Sequence, residues 1–98
     1  MLVRALDHRN IDSTRRAIGF WMAVEGESPV RPVRVYVSYE ALADIDPEQV
    51  RDLAGVLATF DTNRDRIDRA ANAKFDAGQV EQDLHEGQLL IILTTDDL

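Results

Sequence analysis

In the stretch FDTNRDRIDRAAN, residues 60 to 72, Asp61, Asn63 and Asp65 stand at alternate positions after a phenylalanine. Oxygen-bearing side chains so spaced open the calcium loop of helix-loop-helix proteins, which draws ligands from its first, third and fifth positions. That loop also needs glycine at its sixth position, an apolar residue at its eighth and a bidentate glutamate at its twelfth. Counted from Asp61, those places hold Arg66, Asp68 and Asn72. Arg66 would have to take the positive φ that glycine adopts freely, and it would set a cation beside the ion. Asn72 offers a single neutral oxygen. The spacing therefore predicts no metal here, and a helix in place of the loop.

Projected at about 100° per residue with Phe60 at zero, Leu53 and Ala71 fall about 20° away, Ile67 about −20°, and Leu57 and Phe75 about 60°. One apolar stripe runs through the supposed loop. Asp65 and Arg69 are spaced as an i,i+4 ion pair, and Asp61 and Arg69 are expected in solvent. Arg64 falls at about 40°, inside the stripe. Its guanidinium must snorkel outward or find acceptors, because an unpaired buried charge costs several kcal/mol. Three roles stay open for it: a stem packed over the core with its head on carbonyls or an acid, a grip on a ligand or partner, or exposure at a helix break.

Other chemistry is sparse. His8 and His85 have no ligand-spaced neighbours, and Ser13, Ser28 and Ser38 lie outside any nucleophile-elbow context. The five glycines are scattered, so no phosphate-cradling loop is formed. Asp96 and Asp97 read as a solvated terminus. No catalytic residue, cofactor or enzymatic activity is expected. Trp21, Arg34 and Tyr36 are a different matter, since all three types are enriched at binding hot spots.

With 98 residues the chain is expected to form one domain, 1 to 98, with one core. It has no cysteine, which removes disulfides, thiolate metal sites and a cysteine nucleophile. The longest apolar run, AIGFWMAV at 17 to 24, is too short to cross a bilayer, and MLVRALDHRN does not read as a signal peptide, so a cytoplasmic location without membrane contact is expected. Residues 1 to 36 hold six arginines against four acids, and residues 37 to 98 hold five basic residues against fourteen acids, giving +2 and −9. An acidic second half argues against direct nucleic-acid binding, which needs clustered cations. The single lysine, ten arginines and twelve aspartates fit a GC-rich or salt-adapted source.

The elements that must position these residues follow from periodicity. In AIGFWMAV, Ile18, Phe20, Met22 and Val24 alternate with Ala17, Gly19, Trp21 and Ala23, a strand pattern. EGESPVRP, 25 to 32, breaks it with two prolines and a glycine. VRVYVSY then alternates again, predicting an antiparallel hairpin that sets Trp21 on one face with Arg34 and Tyr36. Ser38 is placed to cap a short helix, YEALADI. Asp46-Pro47-Glu48-Gln49 offers a new helix start, and the stripe from Val50 to Phe75 predicts a long helix stopped by Gly78. Unbroken, it would span about 30 residues and roughly 45 Å, so a break near Asp61 to Asn63 stands as the alternative. After a polar link comes QLLIILTT, a strand apolar on both faces, as in sheets covered on both sides. The long helix can cover one face. The other requires the N-terminal segment, with Leu2, Val3, Leu6 and Ile11, or a second protein chain.

The phrases DSTRRAIGF at 12 to 20, VSYEAL at 37 to 42, LATFDTNRDRIDRAA at 57 to 71 and the closing LTTDDL resemble the small bacterial family of domain of unknown function 1488. Phe60, Asn63, Arg64, Ile67 and Ala71 carry the most recognisable part, and the resemblance spans nearly the whole chain. The loop with Pro29 and Pro32 is longer than the tight turn usual in that family. The resemblance implies the fold and brings no activity with it.

The expected fold is thus α+β: a β-hairpin, a short helix, a long helix and a third strand, in a small, mainly antiparallel sheet with helices on one face. The expected function is a non-enzymatic interaction or regulatory module that self-associates or binds a protein partner, with Trp21, Arg34, Tyr36 and Arg64 as candidate partner-binding residues. The alternative is an acidic decoy that occupies a basic nucleic-acid-binding surface on another protein.

Overall fold

The structure, a computed structural model, describes residues 1–5, 9–82 and 88–98. Its centre is the hairpin of β3 (Ala17–Val24) and β4 (Pro32–Ser38), paired antiparallel with Trp21 opposite Arg34 and Gly19 opposite Tyr36. The loop between them turns through Gly26 at φ 82°, which is open to glycine without strain. β6 (Leu89–Leu93) runs parallel to β4, and its outer edge carries the two-residue β5 (Glu81–Gln82). All other pairings are antiparallel, so the sheet is mixed and mainly antiparallel as expected.

The N-terminal segment departs from expectation. Leu2–Arg4 (β1) and Asn10–Asp12 (β2) both pair along the free edge of β3, so they lengthen the sheet and do not lie across its second face. Six strands stand where three were expected. Backbone pairing with β3 satisfies N–H and C=O groups that a flat cover over side chains would leave to water. Leu6, expected in that cover, lies outside the described residues, as do His8, His85 and the centre of the link before β6.

Three helices pack on one face. Ser38 caps α1 (Tyr39–Ile45), its Oγ accepting from Ala41 N at 3.0 Å. Asp46 accepts from Gln49 N at 3.1 Å, but only one turn follows. The regular helix α2 (Leu53–Thr62) starts later, because Asp52 is a second cap whose Oδ1 takes Gly55 N at 2.7 Å. α2 ends at Asn63, whose Nδ2 donates to the carbonyl of Thr59 at 2.9 Å, and α3 (Arg64–Asp76) follows directly. The long helix is therefore broken at the anticipated place. Gly78, at φ 73°, ends α3 as expected.

Along α2 the buried line is Val56, Thr59 and Phe60, while Leu53, expected in the stripe, stands in the first turn of α2 and is 55% exposed. In α3 the expected Ile67 and Ala71 are fully buried. These meet the inward set of the sheet, Ile18, Phe20, Met22, Val33, Val35, Val37, Ile91 and Leu93, in one core. Phe20 and Phe60 touch edge to face with centroids 5.3 Å apart.

Candidate functional site: the open face of the sheet

Side chains alternate along a strand, so the set between the core residues projects from the opposite face. On β3 it is Gly19, Trp21 and Ala23, on β4 Arg34 and Tyr36, and on β6 Leu90 and Ile92, which the register places beside Arg34 and Tyr36. None of these packs into the core, and no described helix covers them. Apart from the buried Gly19, each is half-buried. Val3, opposite Ala23 at the sheet edge, is 39% exposed.

Cations and rings interleave on this face. The Arg34 guanidinium lies 5.0 Å from the Trp21 ring centroid and 5.3 Å from that of Tyr36, and Arg15 reaches from the 13–16 turn to sit 4.5 Å over Tyr36. Gly19 makes the arrangement possible. A Cβ there would stand 2.6 Å from Arg34 Nη2 and 2.8 Å from Tyr36 Cε1, so both side chains fold into the space that glycine leaves. Arg15 and Gly19 were not singled out from the sequence. A glycine inside a strand pattern, as a mark of close approach, was the available signal for the second.

The structure brings Trp21, Arg34 and Tyr36 together and sets Arg64 apart. Arg64 lies on the helix side, its guanidinium 4.3 Å over the Phe20 ring and 5.3 Å over Phe60, and its Nε donates to Asp68 Oδ1 at 2.9 Å. This is the acceptor that the apolar stripe demanded. It stands four residues on, a spacing that puts both on one helix face. Asp68 also accepts from Arg4 Nε, and Arg4 Nη2 reaches Asp65 Oδ1 at 2.8 Å. The hydrogen bond from Arg4 to Asp68 raises the Arg4 pKa from its ordinary value, against a smaller desolvation effect.

The motif residues that imitate a calcium loop are thus turned to the N-terminal strands. Asp61 pairs with Arg9 at 2.9 Å, Asp65 with Arg4, and Asn72 exchanges hydrogen bonds with the Leu2 backbone, accepting from N at 2.6 Å and donating to O at 3.3 Å. Asp61 is exposed as expected while it pairs with Arg9, and the expectation that Asp65 pairs with Arg69 is corrected. The long-range pairs win because β1 crosses α3, which sequence spacing alone does not reveal. Among the described residues no group of three or more acids or histidines is arranged to hold a metal ion, and no helix is long and apolar enough to cross a membrane.

Acidic groups elsewhere are also engaged. Asp12 pairs with Arg15, Asp97 with Lys74 at 3.1 Å, and Asp46 and Asp52 cap backbone turns. Lys74 Nζ further donates to the Ile92 carbonyl at 2.7 Å, occupying part of the outer edge of β6.

Residues 6–90 match the family described as Protein of unknown function (DUF1488), and the chain belongs to that family. No curated protein and no solved structure matches it.

Proposed function

We propose that this DUF1488 protein is a non-enzymatic cytoplasmic interaction or regulatory module that self-associates face to face through the open side of its sheet. The observation that supports the reading is the half-buried set Trp21, Arg34, Tyr36, Leu90 and Ile92, over which no described helix packs, with α1 to α3 on the other face. Four strands at about 4.8 Å spacing give a face roughly 19 Å wide, apolar along β6 and aromatic along β3 and β4. A two-fold axis lying in the plane of the interface and parallel to the strands lays the aliphatic row of one copy over the rings of the other, the self-complementary arrangement of symmetric dimers. A stable dimer buries about 800 Å² per partner, near an eighth of the 6128 Å² this chain exposes. Edge-to-edge pairing through β6 is disfavoured, since β5 and Lys74 already occupy that edge.

The decoy alternative calls for a contiguous acidic face, whereas Asp12, Asp61, Asp65, Asp68 and Asp97 are each paired with a cation. Light scattering tests the main reading. The wild-type chain is expected to be a dimer at high micromolar concentration, and Trp21→Ala or Ile92→Lys to weaken dimerisation by about thirtyfold or more, as for a hot-spot residue. A monomeric wild type at that concentration would refute it.

A further inference from the structure

On the helix side of the sheet, α1, the 46–52 turn and the start of α2 border an open cleft of about 350 Å³, within the size range of small-molecule sites. Its apolar wall is formed by Val50, Leu53 and Val56 with the Tyr39 ring. Leu53 is the notable member, a leucine in the first turn of a helix left 55% exposed where it borders the cleft.

Two arginines, Arg16 and Arg51, line the same cleft. Neither makes an ion pair among the described residues, a property they share with Arg31 and Arg69, but Arg16 and Arg51 border one cleft together. Arg16 sits at φ 52°, a left-handed conformation rare outside glycine, and its carbonyl accepts from Tyr39 N at 2.9 Å. Such a conformation persists only where neighbouring structure holds it, and here it holds Arg16 beside the cleft. Of the two acids that also line it, Asp52 is engaged as the cap of α2 through Gly55 N, and Glu40 stands exposed.

We infer that this cleft binds a small organic carboxylate with an apolar tail, its carboxylate gripped by Arg16 and Arg51 and its tail laid on Val50, Leu53 and Val56. Guanidinium forks match carboxylate oxygens in geometry and charge, and the aliphatic wall adds burial that a bare inorganic anion cannot use.

Octanoate titrated into the full-length chain, followed by amide chemical shifts, tests the site. Saturable shifts are expected at Val50, Leu53 and Gly55, with no saturation by octylamine or octanol. Arg51→Gln and Arg16→Gln should each weaken octanoate about tenfold with an unchanged melting temperature. Glu40→Gln, which removes the opposing carboxylate, should tighten it. Trp21→Ala should leave the titration as it was, which separates this site from the self-association face. The inference is overturned by unsaturated shifts at millimolar octanoate, by octylamine or octanol binding as well as octanoate, or by arginine variants that bind like the wild type.

Discussion

Replacing Asp68 by alanine removes the acceptor that two arginines share. The Arg64 side of the loss dominates. Arg64 and Asp68 side chains are 22% and 16% exposed, and the guanidinium rests on Phe20 and Phe60. A hydrogen bond between charged groups in such a setting contributes about 1.5 to 3 kcal/mol, and its loss strands a partly desolvated cation. The Arg4 contact, with Arg4 half exposed and Asp65 still in reach, adds at most about 0.5 kcal/mol. Asp68→Ala should therefore cost about 2 to 3 kcal/mol, or roughly 10 °C or more in Tm for a chain of this size. Arg64→Met makes the informative contrast, since the thioether chain covers the same rings and leaves Asp68 its bond to Arg4. It should cost about 1 kcal/mol, near the cation–π contribution. Urea unfolding followed by circular dichroism, with the m value unchanged, measures both. An Asp68→Ala cost below that of Arg64→Met would refute the reasoning, because it would mean that no charge is stranded.

Gly55→Ala reverses a familiar sign. Alanine in place of a helix glycine ordinarily stabilises by about 1 kcal/mol, but here the new Cβ would stand 1.7 Å from the Gln49 carbonyl oxygen. The 46–52 turn must move and strain the bond from buried Thr59 to Gln49 Oε1, so thermal unfolding should register a loss of about 2 kcal/mol or more. Asp97 makes the acid limb of the stability profile steeper. Burial opposes its ionisation, but the Thr94 backbone N–H and Lys74 together hold its pKa below the ordinary carboxylate value. Its stabilising contribution is present above the unfolded pKa of about 3.9 and is lost as pH falls through the lower folded value. Asp97→Asn should flatten that part of a chemical-denaturation profile taken from pH 5 downwards, and an unchanged slope would remove Asp97 from the account.

Local signals were legible where they acted alone. The alternations in 17–24 and 33–39, the Ser38 cap and the Gly78 stop each describe the chain where they stand. β1, β2 and β5 were not legible, since LVR, NID and EQ are too short to carry a period and exist through pairing with β3 and β6. Where two local signals competed, the outcome depended on packing. Asp46 and Asp52 both cap, and the missing side chain at Gly55 lets the Gln49 carbonyl close in beneath the second. The site divides in the same way. Alternation placed Trp21, Arg34 and Tyr36 on one face, while the space over Gly19 and the reach of Arg15 required the fold. Arg64 was marked by its place in an apolar stripe. Its partner Asp68 stands four residues away, where the calcium-loop spacing marks it only as a polar residue at the apolar eighth position.

The most direct test of face-to-face self-association uses a mixture of isotope-labelled and unlabelled chains at high micromolar concentration, with nuclear Overhauser effects filtered for contacts between copies. Contacts between the Trp21 indole or Tyr36 ring of one copy and the Leu90 and Ile92 methyl groups of the other are predicted. Intermolecular contacts that arise only from α1 to α3, or none at all, would contradict it.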